Sequence, residues 1–394
     1  MPERLITRQD QFDELCAHLR ERGLVGFDTE FVAESYYRPK LCLMQFATVD
    51  RAAAVDPLEV PDLSRWWSLM ADEETTVIVH GGREEVRFCY HLSGHRPKHL
   101  VDVQIAEGLL SRGFPLSYAN LVQRVAGHTV HDHETRTDWR RRPLTREQVS
   151  YALDDVRHLP LIWKQQRQSL EQRGRLSWAD AEFARFIDDA TRDRDGEQWR
   201  RLPGVQKLGR RAMAATREIY QWRDRVAAER DKPPRSVLRD DLLVEVAKRQ
   251  PKVRNDVTAI RDMNRRDYGR LVEDLLECVQ TAHDLPDSEL PDKYRAPPPV
   301  TQNEVLGKML GIALAQACGE LGISTSLVGT SADLQDLVRW HVVDRKSGRP
   351  PRLMQGWREE VCGDLLSDVL DGKVAFRIVD PQSEAPLRFE PLPE

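Results

Sequence analysis

At 394 residues with 40 % hydrophobic side chains, the chain is too long for one hydrophobic core and too apolar for a disordered polymer, so two or three domains are expected. Fifty-nine Lys or Arg against 64 Asp or Glu leave a net charge of -5, which excludes a histone-like or polybasic binder as a global description. The cysteines at 16, 42, 89, 278, 318 and 362 form no C-x-x-C pair, and no stretch approaches the ~18 to 20 apolar residues of a membrane span; both point to a cytoplasmic protein with reduced thiols and no membrane partner.

Read in chain order, a helical stretch near 8–22 is followed by strand signals at Leu24 to Asp28, Leu41 to Thr48 and Ala52 to Val55, close enough together for a meander. A helix near 61–72, a strand from Thr76 to His80, and helices from Gly82 to His91, at 102–112 and at 117–126 complete an α/β or α+β unit. From Thr145 onward the apolar spacing predicts one long helix, with Thr145 as N-cap and Gly174 as the stop.

Beyond about residue 200 the sequence carries helical segments broken at Pro203-Gly204, Pro233-Pro234 and Pro251, and no strand pattern of any strength. The expected organisation is an α/β domain over 1–200, an all-α domain over 201–285, a Pro-rich extended linker over 286–302, a second all-α domain over 303–380 and a frayed tail over 381–394. Residues 199–285 hold twenty Lys or Arg against fourteen Asp or Glu, a surplus of six, so the remaining chain carries -11. A basic helical domain beside an acidic α/β domain suits holding a polyanion in one part and metal ions in the other; a merely solvated basic face is the alternative.

Asp28-Thr29-Glu30 ends an apolar strand, and residues two apart on a strand point their carboxylates to one face. Two such carboxylates repel unless a cation lies between them, and oxygen ligands suit Mg²⁺ or Mn²⁺; taken alone, a solvated strand end explains a D-x-E string as well. Tyr151 and Asp155 lie four apart on the predicted helix and so stack on one face, either as part of a site or as an intrahelical hydrogen bond. Glu84 and Glu85 open a helix, where interaction with the helix dipole is the simpler account. Trp222 reads as a core residue of the helical part rather than a stacking platform.

Taken together, these segments resemble a known family. Gly26-Phe27-Asp28-Thr29-Glu30-Phe31, followed by Tyr37, Pro39, Leu41, Leu43 and Gln45, is similar to the first motif of the ribonuclease D family of the DEDD exonuclease superfamily. The string from His80 to Val86 with LVDVQIAEGLL resembles the second motif, and Asp138, Trp139, Arg142, Pro143, Leu144, Gln148, Tyr151, Ala152 and Asp155 match the third. RLPG and the segment from Trp222 to Pro251 look like a helicase-and-ribonuclease-D C-terminal (HRDC) domain, and LVGTSADLQDLVRW with LMQGWREEVCGDLL like a weaker second copy.

The resemblance implies a ribonuclease H-like mixed sheet with flanking helices, followed by two all-α domains. It also implies a monomeric 3′–5′ exoribonuclease that trims tRNA precursors and small structured RNAs with two Mg²⁺ or Mn²⁺ ions. On this reading Asp28, Glu30, Glu85 and Asp155 are the metal ligands and Tyr151 orients the attacking water. Arg142, Gln45 and His80 touch substrate, Asp102 has a supporting role, and Arg140-Arg141-Arg142 could grip phosphates. The family's second motif has Asp where this chain has Glu85. A Glu keeps the charge but adds one methylene, which motivates a rival reading as an RNA-binding protein with an impaired site; a DNA exonuclease is a further rival, because the resemblance implies the same fold and metals for DNA proofreading.

Overall fold

The apolar alternation of the amino-terminal part becomes the centre of a single sheet. In a computed structural model, which describes residues 5–129, 137–192, 197–265, 267–293, 303–344 and 346–393, six strands stand in the order β1-β4-β3-β2-β5-β6. They are β1 (Leu5–Ile6), β2 (Leu24–Val32), β3 (Lys40–Ala47), β4 (Ala52–Val55), β5 (Thr76–Val79) and β6 (His99–Asp102). β2, β3 and β4 form the expected antiparallel meander. β1, β5 and β6 join in parallel. The sheet is therefore mixed. β1 and β6 carry no readable alternation because they are only two and four residues long.

Among the described residues, eight helices belong to this part: α1 (Gln9–Arg22), α2 (Ser64–Met70), α3 (Arg83–Ser93), α4 (Val103–Leu110), α5 (Tyr118–Ala126), α6 (Arg146–Arg157), α7 (Leu159–Gln172) and α8 (Leu176–Thr191). On one face of the sheet Phe27, Met44 and Phe46 pack with Phe12 of α1 and Trp66 of α2. The Phe27 ring lies 5.2 Å from Phe46 and 4.7 Å from Trp66, all three are buried, and each such side chain contributes roughly 2–3 kcal/mol. On the other face Leu43 of β3 and Ala54 of β4 lie beneath Val149, Ala152 and Leu153 of α6.

The single long helix predicted from Thr145 is two helices. Its start is as expected, a capping box in which the Thr145 hydroxyl accepts from the Gln148 N–H and the Gln148 side chain accepts from the Thr145 N–H. It breaks at His158 because Pro160, in the first turn of α7, has no N–H to offer the preceding turn. Apolar periodicity runs through the break unchanged, which is why the sequence reads as continuous.

The middle domain is all-helical, as expected, with α9 (Arg210–Glu229), α10 (Pro234–Val237), α11 (Asp240–Arg249), α12 (Arg254–Thr258) and α13 (Val272–Asp284). Its core is its own, including Trp199, Met213, Ile219, Trp222, Leu243 and Leu275, and Trp222 is buried there. Tyr37, from the loop between β2 and β3, packs against this cluster and donates its hydroxyl to Asp224 Oδ2 at 2.8 Å. The first part of the expected linker is not extended. Arg210 and Arg211 donate to the carbonyls of Ala282, Leu285, Asp287 and Leu290 and fold it back on the domain. Residues 294–302 of that linker lie outside the described residues.

The last part holds α14 (Asn303–Leu321), α15 (Thr325–Val328), α16 (Ser331–Val342) and α17 (Asp364–Leu370). It is not a free-standing unit: Leu310, Leu314, Leu327 and Trp357 share one core with Leu109, Trp163 and Phe183 of the sheet domain. Nor is the end of the chain frayed. β7 (Val374–Ile378) and β8 (Leu387–Pro391) pair as an antiparallel hairpin, with Phe376 opposite Phe389. Alternation is present in V-A-F-R-I and L-R-F-E-P, but the polar, Pro-bearing turn between them resembles a disordered tail in composition.

Candidate active site

The site forms where β2 outruns its neighbour. β5 pairs with β2 only from Leu24 to Gly26, so Asp28, Thr29 and Glu30 extend beyond the end of β5, beside the first turn of α3. Asp28 and Glu30 point to the face covered by α6, where Asp155 stands in the last turn before the break. Gly26 permits this approach: a Cβ there would lie 3.0 Å from the Val156 carbonyl and 3.0 Å from Leu159 Cβ. A Gly26→Val variant should therefore push the α6–α7 break off the strand, costing about 1–3 kcal/mol and most of the activity. Melting temperature together with exonuclease rate checks this.

The electrostatics record the convergence of the four carboxylates. Burial raises Asp28 well above the ordinary range, and Glu85, Asp155 and Glu30 each raise it further. Glu30 is pushed up to about 8 by burial, then by Asp155 and Glu85. Glu85 is pushed up to about 7 by burial, against a lowering by the Thr29 hydroxyl, which donates to Glu85 Oε1 at 2.5 Å. That bond turns the Glu85 carboxylate onto Thr29, the residue between Asp28 and Glu30 in the chain. Among the described residues no three His, Cys, Asp or Glu side chains are gathered closely enough to hold a metal ion as they stand.

A pocket of about 140 Å³ opens beside this cluster, walled by Asp28, His80, Tyr118, Asp155 and Leu159. His80 was expected at the site from the sequence; Tyr118 was not. The Tyr118 hydroxyl accepts from the His158 N–H at the helix break, and its ring stands edge-on to His80 at 5.6 Å. Its position just after the N-cap Ser117 was the available signal. His80 Nε2 donates to the Leu116 carbonyl at 2.8 Å. Tyr151 stands one turn before Asp155 and packs against the cluster of Leu43, Trp139 and Ala152. Asp102 is buried as the N-cap of α4, accepting from the Gln104 N–H at 2.8 Å.

Two expected substrate contacts face inward instead. Arg142 is a staple: its guanidinium grips both oxygens of buried Asp56, at 2.5 and 2.7 Å, and donates to the Cys42 and Trp139 carbonyls. Gln45 is fully buried and cannot meet a strand of RNA from solvent. Of the arginine run, Arg140 is held by Asp138, and Arg141 is the most exposed member.

Comparison with known proteins places the chain in a family. The sequence model described as a 3′–5′ exonuclease matches residues 4–171, and the HRDC domain model matches 212–279. Ribonuclease D of Bartonella henselae is 31 % identical over 376 residues, covering 95 % of this chain and 91 % of that protein. Ribonuclease D of Gluconacetobacter diazotrophicus is 32 % identical over 377 residues, covering 95 % and 94 %. The chain belongs to the ribonuclease D family. Among solved structures, that of Escherichia coli RNase D, described as an exoribonuclease involved in structured RNA processing, superposes with a TM-score of 0.82 at 27 % identity over 94 % of this chain and 99 % of that one. The catalytic core of RRP6 from Trypanosoma brucei gives 0.54 at 25 % identity, covering 72 % and 80 %. Like its relatives, this ribonuclease D homologue is a 3′–5′ exoribonuclease. Among the described residues, no helix is long and apolar enough to cross a membrane.

Proposed function

We propose that this exoribonuclease shortens tRNA precursors and other small structured RNAs with two divalent cations held by Asp28, Glu30, Glu85 and Asp155. The convergence of four carboxylates at one strand end supports this most directly, since Glu85, Asp155 and Glu30 raise the proton affinity of Asp28, Asp155 and Glu85 raise that of Glu30, and cations would neutralise the cluster. Bound there, the cations supply the charge that lowers the pKa of a water and neutralises the phosphate. The chain does the rest. Asp28, nearest the centre of the cluster, faces both Glu85 and Asp155, and the neutral Tyr151 phenol one turn from Asp155 orients the attacking water. His80 and Tyr118 wall the pocket beside Asp28 and Asp155. The middle domain, with its surplus of six positive charges, holds the RNA backbone. The last domain has no such surplus, since residues 303–393 hold ten Lys or Arg against thirteen Asp or Glu, and it leaves the backbone to the middle one.

The test is a time course on a 5′-labelled tRNA precursor with Mg²⁺ and separately with Mn²⁺. Progressive 3′ shortening with release of nucleoside 5′-monophosphates is expected, together with retained activity in Glu85→Asp. A parent protein that binds RNA but never cuts, while Glu85→Asp cuts, would assign the scaffold to binding alone.

The metal requirement should depend on pH. Glu30 at about 8 and Glu85 at about 7 carry protons near neutrality when no cation is bound, and a cation displaces them. The metal concentration for half-maximal activity should therefore fall on the order of tenfold between pH 6.5 and 8.5, with proton release detectable in weakly buffered solution. A requirement independent of pH would contradict the assignment of these two carboxylates.

A further inference from the structure

Gln45 is a buried polar side chain on the catalytic face of the sheet for which neither packing nor partner accounts. On β3 it is the direct cross-strand partner of Asp28, and on its other side it pairs with Ala54. Cross-strand partners of this kind hold their Cβ atoms about 4.5–5.5 Å apart on one face. That face is closed by α6, and the neighbouring residues Leu43, Ala54, Ala152 and Leu153 are all apolar and buried. Gln45 itself is 0 % exposed, and among the described residues neither its Nε2 nor its Oε1 has a hydrogen-bond partner. A Leu or Met of similar volume would fill the same space without burying an amide. An orphan amide here is a cost to the metal-free fold, and it lies beside the carboxylate that stands at the centre of the proposed site.

We infer that Gln45 is a positioning residue for Asp28: when Asp28 holds a cation, the Gln45 amide N–H donates to its carboxylate and fixes the orientation in which it does so. A carboxylate accepts up to about four hydrogen or metal bonds, so a donor from the sheet side can restrain it while the open side faces the cations. The short reach from β3 and the closed lid of α6 leave the amide no route to RNA. The inference rests on the proposed metal site.

The experiment compares the intact parent chain with Gln45→Leu, Gln45→Met and Asp28→Asn. Free Mn²⁺ is followed by electron paramagnetic resonance, melting is recorded without metal, and RNA shortening kinetics are measured over a range of Mn²⁺. Both Gln45 variants should melt at or above the parent temperature without metal, while their Mn²⁺ dissociation constant rises about 10-fold or more and the KM for RNA stays unchanged. Unaltered Mn²⁺ affinity with unaltered kcat would reduce Gln45 to a tolerated packing defect and overturn the inference. So would a rise confined to KM, which would make it a substrate contact, or loss of folding in both variants, which would make it structural. Parent protein that binds no more Mn²⁺ than Asp28→Asn would overturn the metal site and this inference together, whereas parent binding with no change in the Gln45 variants overturns the inference alone.

Discussion

Replacing Asp28 by Asn should slow RNA shortening by about three orders of magnitude or more and, in the absence of metal, make the protein more stable. The two effects have one cause. Asp28 is half-buried with Glu85, Asp155 and Glu30 around it, and desolvation and these charges raise its proton affinity in the folded state well above the ordinary value of 3.8. A carboxyl whose folded pKa lies above its unfolded one costs stability that grows as pH rises from the unfolded value toward the folded one. Asn has nearly the same shape and no charge to bury, so the gain should be larger at pH 8 than at pH 5. A gain of about 1–3 kcal/mol corresponds to several degrees of melting temperature. Saturating Mn²⁺ should reverse the order: at 100 times its dissociation constant a ligand adds about 2.7 kcal/mol to the parent and little to the variant. Melting curves with EDTA and with Mn²⁺ at both pH values check all of this. A variant less stable than the parent under EDTA at pH 8 would mean that the four carboxylates do not repel one another.

The part of this site legible in the sequence was the part governed by short-range rules. Residues two apart on a strand share a face, and residues four apart on a helix share a face, so Asp28 with Glu30 and Tyr151 with Asp155 could be paired before any fold was known. The antiparallel meander and the all-helical middle domain were legible for the same reason, whereas the mixed sheet was implied by the family resemblance. What periodicity does not encode is where an element ends or what lies across from it. Pro160 splits one apolar stripe into α6 and α7, Tyr118 reaches the pocket from a separate helix, and Arg142 turns inward because Asp56, 86 residues earlier, is buried opposite it. Gln45 was recognisable as part of a motif, yet its burial follows only from the pairing of β3 with both β2 and β4. The last domain was the least legible. Its helices were visible, but the sharing of one core with the sheet domain depends on residues such as Leu109 and Trp357 that lie far apart in the chain.

That shared core carries a buried ion cluster whose removal should have the largest effect on stability. Glu182 of α8 accepts from Arg358 at 2.6 Å and from the Trp357 indole at 3.0 Å, while Arg185 approaches its other oxygen at 2.7 Å. The Glu182 and Arg358 side chains are 2 % and 5 % exposed, so neither charge can be rehydrated if the other is removed. Arg358→Ala should therefore cost about 3–5 kcal/mol and loosen the last domain from α8, whereas Glu182→Gln combined with Arg358→Met should recover much of the loss by removing both charges. Acid should act on the same contact. These arginines hold Glu182 down to about 2, below its ordinary 4.5, so the stabilisation is complete above about pH 4.5 and is lost as pH falls toward 2. The Trp178 and Trp357 rings, stacked 5.4 Å apart across the contact, provide the signal. Tryptophan fluorescence and limited proteolysis should report release of the last domain in Arg358→Ala at neutral pH and in the parent only in acid. Because α8 also packs on α3, which carries Glu85, release should reach the active site as a fall in exonuclease rate. An Arg358→Ala protein that keeps its melting temperature, its protease resistance and its rate would show that the apolar core alone joins the two domains.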